Sequence, residues 1–273
     1  MQDNHTDIKR FLSVIRKEKG IDLGSYRQTF LMRRLSHRMR LTDSENLLSY
    51  LRLLKEDDSE FDQFLDALSI NVSEFFRDPE VFDYFKENCL KEIFERKNSS
   101  RNRIIRIWSA GCSEGQETYS LAILLKETLE EKNNFFVRII GTDIDQGALK
   151  KAEEAEYQSK DLKEMNKPQI EKYFKTTPNG LFRVNQDIRT AVKFFQKDIF
   201  DQFSLKYLDV IFCRNLMIYF SRPQQEELIL KFSRVLNAGG YLVIGKVEAI
   251  WRSSTDMFRP VSLANKIYQK NKG

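Results

Sequence analysis

Histidine is nearly missing from this chain: there are two in 273 residues, His5 and His37, both near the N-terminus. Chemistry seated further along would therefore run without a histidine base. Cysteine is as sparse. Cys89, Cys112 and Cys213 are odd in number, scattered and without a C-x-x-C pair, which excludes a zinc site and a disulfide framework and suits a reducing cytoplasm. No carboxylate cluster stands at ligand spacing, so no metal is expected. No apolar run approaches the roughly 20 residues that span a bilayer. The start, MQDNHTDIKRF, has no signal-peptide shape, so a cytoplasmic protein without direct membrane insertion is expected. A hydrophobic share of 41% and a charged share of 31% are those of an ordinary globular protein.

What is present is most concentrated at Ile104–Leu121, IIRIWSAGCSEGQETYSL. An apolar, β-rich run ends in small residues and passes through Glu114, Gln116 and Glu117 into a helical pattern. Strand, small-residue turn and helix form the first unit of a doubly wound nucleotide-binding fold, in which Gly111 and Gly115 are expected to bend the backbone and approach a ligand. The spacing is neither G-x-G-x-x-G nor a Gly-Lys-Ser/Thr loop, so no phosphate cradle is expected. Acidic residues at the helix mouth also oppose an anion. A nucleoside without phosphates is the expected ligand, with S-adenosylmethionine as first candidate.

Residues 1–85 read as a helical domain, with apolar positions at helical spacing from Ile8 through Leu68 and breaks at Gly20–Asp22 and Leu41–Asp43. Residues 86–273 read as an α/β domain. After Ile104–Ala110, strands are expected near Phe135–Thr142, Val192–Gln196, Leu208–Cys213 and Gly240–Gly245, with helices at Gln146–Glu156 and Pro223–Leu236. Phe258–Gln269 reads as a closing antiparallel pair. About residues 168–190 are surplus to a simple crossover, and the turn Thr177–Gly180 makes them a small β-insertion. Between Asp22 and Asp43 every formal charge is positive: Arg27, Arg33, Arg34, Arg38 and Arg40. Arg33 to Arg40 span about two helical turns. That basic face is either solvated or a docking surface for an acidic partner. It lacks the interleaved aromatics that stack bases, so no nucleic-acid partner is expected.

Asp143 ends the second strand, where a carboxylate accepts both ribose hydroxyls of an adenosine; as a helix cap, Asp145 is better placed. Glu117 either binds a cationic amine or serves as a favourable first-turn acid. Asp198 follows the third strand, within reach of an adenine amino group. Cys213–Phe220 follows the fourth strand and faces the transferred group, with Asn215 and Tyr219 as candidate lining. It is not the Asn/Asp-Pro-Pro-Tyr/Phe loop of amino-methyltransferases. Asn71–Pro79 forms the junction between the two parts, a favoured place for a cleft.

Taken together, these motifs resemble the chemotaxis receptor methyltransferases. The likeness runs through the helical domain, Asn71–Arg77, Trp108–Ser120, Thr142–Asp145, the β-insertion, Cys213–Phe220 and Gly240–Glu248 at matching separations. Gln116, Ser73 and Lys246–Val247 depart from the family's usual residues. The resemblance implies a mostly parallel, seven-stranded class I methyltransferase sheet and methyl transfer from S-adenosylmethionine, leaving S-adenosylhomocysteine, to glutamate side chains of chemoreceptors in chemotactic signal transduction. It implies that Asn71, Ser73 and Arg77 contact the cofactor, that Glu117 and Asp143 hold its amino-acid and ribose ends, and that Asp198 and Ile199 hold its adenine. Arg214 and Asn215 would line the site, with Arg77 and Tyr219 as catalytic residues nearest the methyl. Arg33, Arg34, Arg38 and Arg40 would meet the cytoplasmic receptor helices, and a receptor C-terminal peptide is a candidate partner for the β-insertion. A non-catalytic adaptor, and a methyltransferase for another protein, remain open alternatives.

Overall fold

The structure is a computed structural model that describes residues 2–68, 73–99, 103–129, 135–201, 205–251 and 256–272, with side chains from Asp7 onward. The first part is helical: α1 Gln2–Lys19, α2 Gln28–Leu41, α3 Leu47–Glu56 and α4 Asp58–Leu68. Local chemistry sets its breaks. Asp22 caps a short 3-10 turn at Leu23–Ser25 by accepting the Gly24 N–H. Asn46 caps α3 through a full capping box with Ser49. The apolar stripes of the helices converge on a core of their own, including Phe11, Leu35, Tyr50, Leu54 and Phe64.

Helices α5 (Pro79–Tyr84) and α6 (Lys91–Ser99), joined by a π-helical turn at Phe85–Leu90, belong elsewhere. Val81, Phe82, Phe85 and Phe94 pack with the sheet. The segment expected as one helical domain to residue 85 is thus divided between two cores, and the self-contained helical core ends at Leu68.

The rest is a doubly wound sheet: β1 Ile104–Ala110, α7 Gln116–Leu129, β2 Phe136–Asp143, α8 Gln146–Glu154, β6 Val192–Gln196, β7 Leu208–Cys213, α11 Arg222–Val235, β8 Leu236–Ile244, β9 Phe258–Ser262 and β10 Ile267–Lys270. The seven strands run in the order β6-β2-β1-β7-β8-β10-β9. The first five are mutually parallel and β10 is antiparallel to both its neighbours. Alternate side chains enter opposite cores: Ile105, Ile107, Val210 and Phe212 on one face, Trp108, Ala110, Ile211 and Cys213 on the other. The order reverses between β1 and β7, and ligands bind at such a switch point.

Between α8 and β6 lies the insertion: β3 Glu156–Tyr157, α9 Lys167–Tyr173, β4 Phe174–Thr176, β5 Phe182–Val184 and α10 Gln186–Arg189. Its three strands pair in the order β3-β5-β4 around the Thr177–Gly180 turn. It takes its first strand from Glu156, earlier than the expected start near residue 168. A two-residue strand carries no alternation to read, and its pairing with Phe182 and Arg183 is long-range.

Candidate active site

A cavity opens over the C-terminal ends of β1, β2 and β7, lined by residues of both the sheet domain and the helical unit. The glycine turn after β1 forms its floor. The Gly111 and Cys112 N–H groups both donate to the Thr142 carbonyl, at 2.8 and 3.0 Å. Gly111 has φ +75°, which strains any other residue, and a Cβ there would stand 2.6 Å from the Leu216 side chain and push it aside. Gly115 differs from expectation. It also has positive φ, but it faces Ala152 and Phe194 rather than the cavity, so its missing Cβ serves packing.

Asp143 is built into this floor. One carboxylate oxygen accepts the Ser113 N–H at 2.8 Å and the other the Asp145 N–H at 3.0 Å. Asp145 caps α8, accepting from Ala148 at 3.0 Å, which leaves Asp143 for the cavity. Burial pushes the Asp143 carboxyl above its ordinary range, against the pull of those N–H groups. Asp198 lines the same end beside Ile199, accepts the Phe200 N–H at 2.9 Å, and is likewise raised by burial.

A charged network occupies the other end. Glu117 accepts the Ser109 hydroxyl at 2.8 Å and lies 3.5 Å from Arg214. Burial raises its carboxyl, and Arg214 opposes the shift. Arg214, its side chain 2% exposed, bonds to Asp78, and Asp78 also meets Lys246 at 3.4 Å. The Arg214 Nε is buried with no hydrogen-bond partner among the described residues. The backbone is unusual here. Of eight non-glycine residues with positive φ among the described residues, Phe76 and Asp78 flank Arg77, Ser113 lies on the turn, and Asn215 follows Arg214. Such strain persists where surrounding contacts over-determine it, and it clusters at functional sites.

Tyr219, Arg77 and Asn215 all line the cavity. The Tyr219 ring packs on Phe30 of α2, centroids 4.7 Å apart. Burial raises its phenol, with Arg34 and Arg77 opposing that shift and Glu248 adding to it. Arg33 and Arg34 also lie over the Phe30 ring, at 5.9 and 5.4 Å. Arg40 is exposed. Arg38 breaks the expected docking face: it is bonded to the buried Glu60 and to Gln63 at 2.9 Å, while the Tyr50 hydroxyl donates to Glu60 at 2.7 Å. Its charge ties α2 to α4. Ser73 lines the cavity, whereas Asn71 lies outside the described residues. No histidine lines the cavity among the described residues.

Two family models match the chain in sequence. Residues 6–69 match "CheR methyltransferase, all-alpha domain" and residues 71–267 match "CheR methyltransferase, SAM binding domain". The chain belongs to the CheR methyltransferase family. It is 32% identical over 250 residues to a chemotaxis protein methyltransferase of Borreliella burgdorferi, covering 89% of this chain and 88% of that one. It is 31% identical to chemotaxis protein methyltransferase 2 of Vibrio cholerae, covering 92% and 88%. It is also 31% identical to chemotaxis protein methyltransferase 1 of Pseudomonas aeruginosa, covering 92% of each.

S-adenosylmethionine is accordingly the cofactor, and the donor set fits it as a CheR cavity should. Anionic groups stand at both ends, Glu117 at one and Asp143 with Asp198 at the other. The unpartnered Arg214 N–H suits a carboxylate. Sequence reasoning missed several residues here. Asp78 reads as half of a surface pair with Arg77, yet it gives its carboxylate to the buried Arg214. Glu248, 5% exposed, accepts backbone N–H groups from Gly245 (2.5 Å), Asn215 (3.2 Å) and Ile218 (3.3 Å) and so holds the loop that carries Tyr219. Asp22 and Tyr26 of the helical unit also line the cavity. Among the described residues no helix is long and apolar enough to cross a membrane.

Proposed function

We propose that this CheR enzyme is a protein-glutamate O-methyltransferase that esterifies side-chain carboxylates on the cytoplasmic domains of chemoreceptors. The observation that carries the reading is that Arg77 and Tyr219 line the cofactor cavity together, while Arg33 and Arg34 lie over the Phe30 ring on which Tyr219 packs. A cationic patch draws an anionic acceptor, and the planar guanidinium fork matches a carboxylate.

The chemistry asks little else of the protein. The bound cofactor supplies a methyl group activated by its sulfonium. A glutamate carboxylate, which ordinarily titrates at about 4.3, is already ionised at neutral pH, and its attack neutralises charge. The chain's task is then to hold oxygen, carbon and sulfur in line, and proximity alone contributes about 7–11 kcal/mol. Glu117 holds the cofactor amine and Arg214 its carboxylate, with Asn215 beside them. Asp143 takes the ribose hydroxyls, and Asp198 with Ile199 the adenine. Ser73 closes the junction side. Arg77 and Tyr219 orient the acceptor. Arg33, Arg34 and Arg40 meet acidic receptor helices, while Arg38 holds α2 in place for them. The β4 edge of the insertion, with Lys175 and Thr176 exposed, takes a receptor C-terminal peptide by strand addition. The free, buried Cys89, Cys112 and Cys213 suit a cytoplasmic setting.

The test is transfer of label from methyl-labelled S-adenosylmethionine to a purified receptor cytoplasmic domain. The expected label is released as methanol by mild base, as a glutamyl methyl ester requires, and is lost when the receptor glutamates become alanine. Label stable to base, or transferred only to another protein, contradicts the reading. Cofactor and receptor binding without transfer would make the chain an adaptor.

A further inference from the structure

The residues from Ser25 to Arg27 are stitched to the loop that carries Tyr219. Tyr26 forms an isolated antiparallel bridge with Phe220. The Arg27 N–H donates to the Tyr219 carbonyl at 2.8 Å, and the Ser221 N–H to the Ser25 carbonyl at 3.3 Å. Arg27 Nε adds a bond to the Phe220 carbonyl at 3.0 Å. The Tyr26 ring is clamped as firmly. It stacks on Phe30 with centroids 5.9 Å apart and meets Phe220 edge-on at 5.2 Å, while Phe220 meets Phe200 edge-on at 5.0 Å.

This clamp faces the cavity. Tyr26 lines it together with Asp143, Asp198 and Phe200. Burial, with the Asp198 and Asp143 carboxylates nearby, holds its phenol protonated far above neutral pH. The wall therefore offers a fixed, neutral O–H donor beside two carboxylates, over an aromatic surface. An adenosine presents acceptor nitrogens and hydroxyls that suit the donor, and a π-face that suits the ring.

We propose that Tyr26 is a cofactor-binding residue: the helical unit reaches across the junction and closes the adenosine end of the cavity with the Tyr26 hydroxyl and ring. This rests on the assignment of the cavity to S-adenosylmethionine. It makes the cofactor a ligand of both units at once. Product release then requires the Ser25–Arg27 clamp to loosen, so the same contact governs the off-rate.

Calorimetry with S-adenosylhomocysteine on the full chain tests the proposal without turnover, with Asp143→Ala run alongside. Tyr26→Phe keeps the ring packed on Phe30 and Phe220 and should weaken binding about 3- to 10-fold, with the ligand-free Tm unchanged. Tyr26→Ala should weaken it further and speed dissociation in stopped flow. Wild-type affinity in Tyr26→Phe, with binding weakened in Asp143→Ala, would reduce Tyr26 to packing between the two units and overturn the proposal alone. No binding by the unsubstituted chain would overturn it together with the cofactor assignment. If Tyr26→Ala fails to fold, Tyr26→Phe still decides.

Discussion

Glu248→Gln is the most exacting single perturbation of the site. The carboxylate is buried and accepts the Gly245 and Asn215 N–H groups on one oxygen and the Ile218 N–H on the other. Glutamine must turn one of those oxygens into a donor. If Oε2 is lost, Gly245 and Asn215 lose their acceptor; if Oε1 is lost, Ile218 does. Either rotamer leaves a buried N–H facing another donor, at about 1–3 kcal/mol for each group left unsatisfied. A total loss of about 2–4 kcal/mol follows, which for a chain of this size lowers Tm by about 4–12 °C. Because Tyr219 directly follows Ile218, its hydroxyl shifts with the loop, and kcat should fall at least about tenfold. Thermal unfolding and single-turnover methyl transfer are the assays. A variant with wild-type Tm and wild-type rate would refute the claim that Glu248 holds this loop.

The remaining predictions separate neighbouring charges. Arg38→Ala leaves Glu60 buried with only the Tyr50 hydroxyl, so denaturant unfolding should show a loss toward the lower end of about 3–5 kcal/mol. Arg33→Ala with Arg34→Ala should instead leave Tm nearly unchanged, raise KM for receptor and flatten the salt dependence of the rate; equal effects from both sets of changes would contradict the division. Asp143→Ala should weaken S-adenosylhomocysteine by about 1–3 kcal/mol in calorimetry through the lost ribose bonds, and unchanged affinity would remove Asp143 from the site. Burial raises the Glu117 carboxyl, so in the ligand-free chain it holds its proton to a higher pH than an ordinary glutamate. A cofactor ammonium requires it ionised, so binding should tighten as pH rises from 5 to 7, releasing a proton measurable in buffers of different ionisation heat. Affinity that is flat over that range, with no proton release, would place the ammonium elsewhere.

Much of this architecture was legible locally. The turn from β1 to α7 shows itself because strand, glycines and helix are contiguous, and Asp143 because a carboxylate at a strand end has few other uses once Asp145 takes the cap. Strands β7 and β8 carry apolar runs on both faces and read as buried for the same reason. What stayed hidden depends on contacts between distant segments. Nothing around Arg38 distinguishes it from Arg33; only the fold brings Glu60 against it. Tyr26 reads as one more aromatic before a helix until the Phe220 loop folds onto it. Glu248 follows a strand with no local signal that three backbone N–H groups will converge on it. Gly115 errs the other way: its conformation was legible, but its neighbours, Ala152 and Phe194, were not.

The central claim is that an already ionised carboxylate attacks the methyl group, held by Arg77 and Tyr219 with no general base. Its direct measurement is the pH dependence of the single-turnover rate with saturating cofactor and receptor. The rate should rise through the carboxylate range and then hold a plateau across pH 6–8, with no limb near the histidine pKa of about 6.5. Tyr219→Phe should lower the plateau without moving the profile along the pH axis. An ascending limb near neutrality, with the chemical step shown to be rate-limiting, would mean that a base activates the acceptor and would contradict the account.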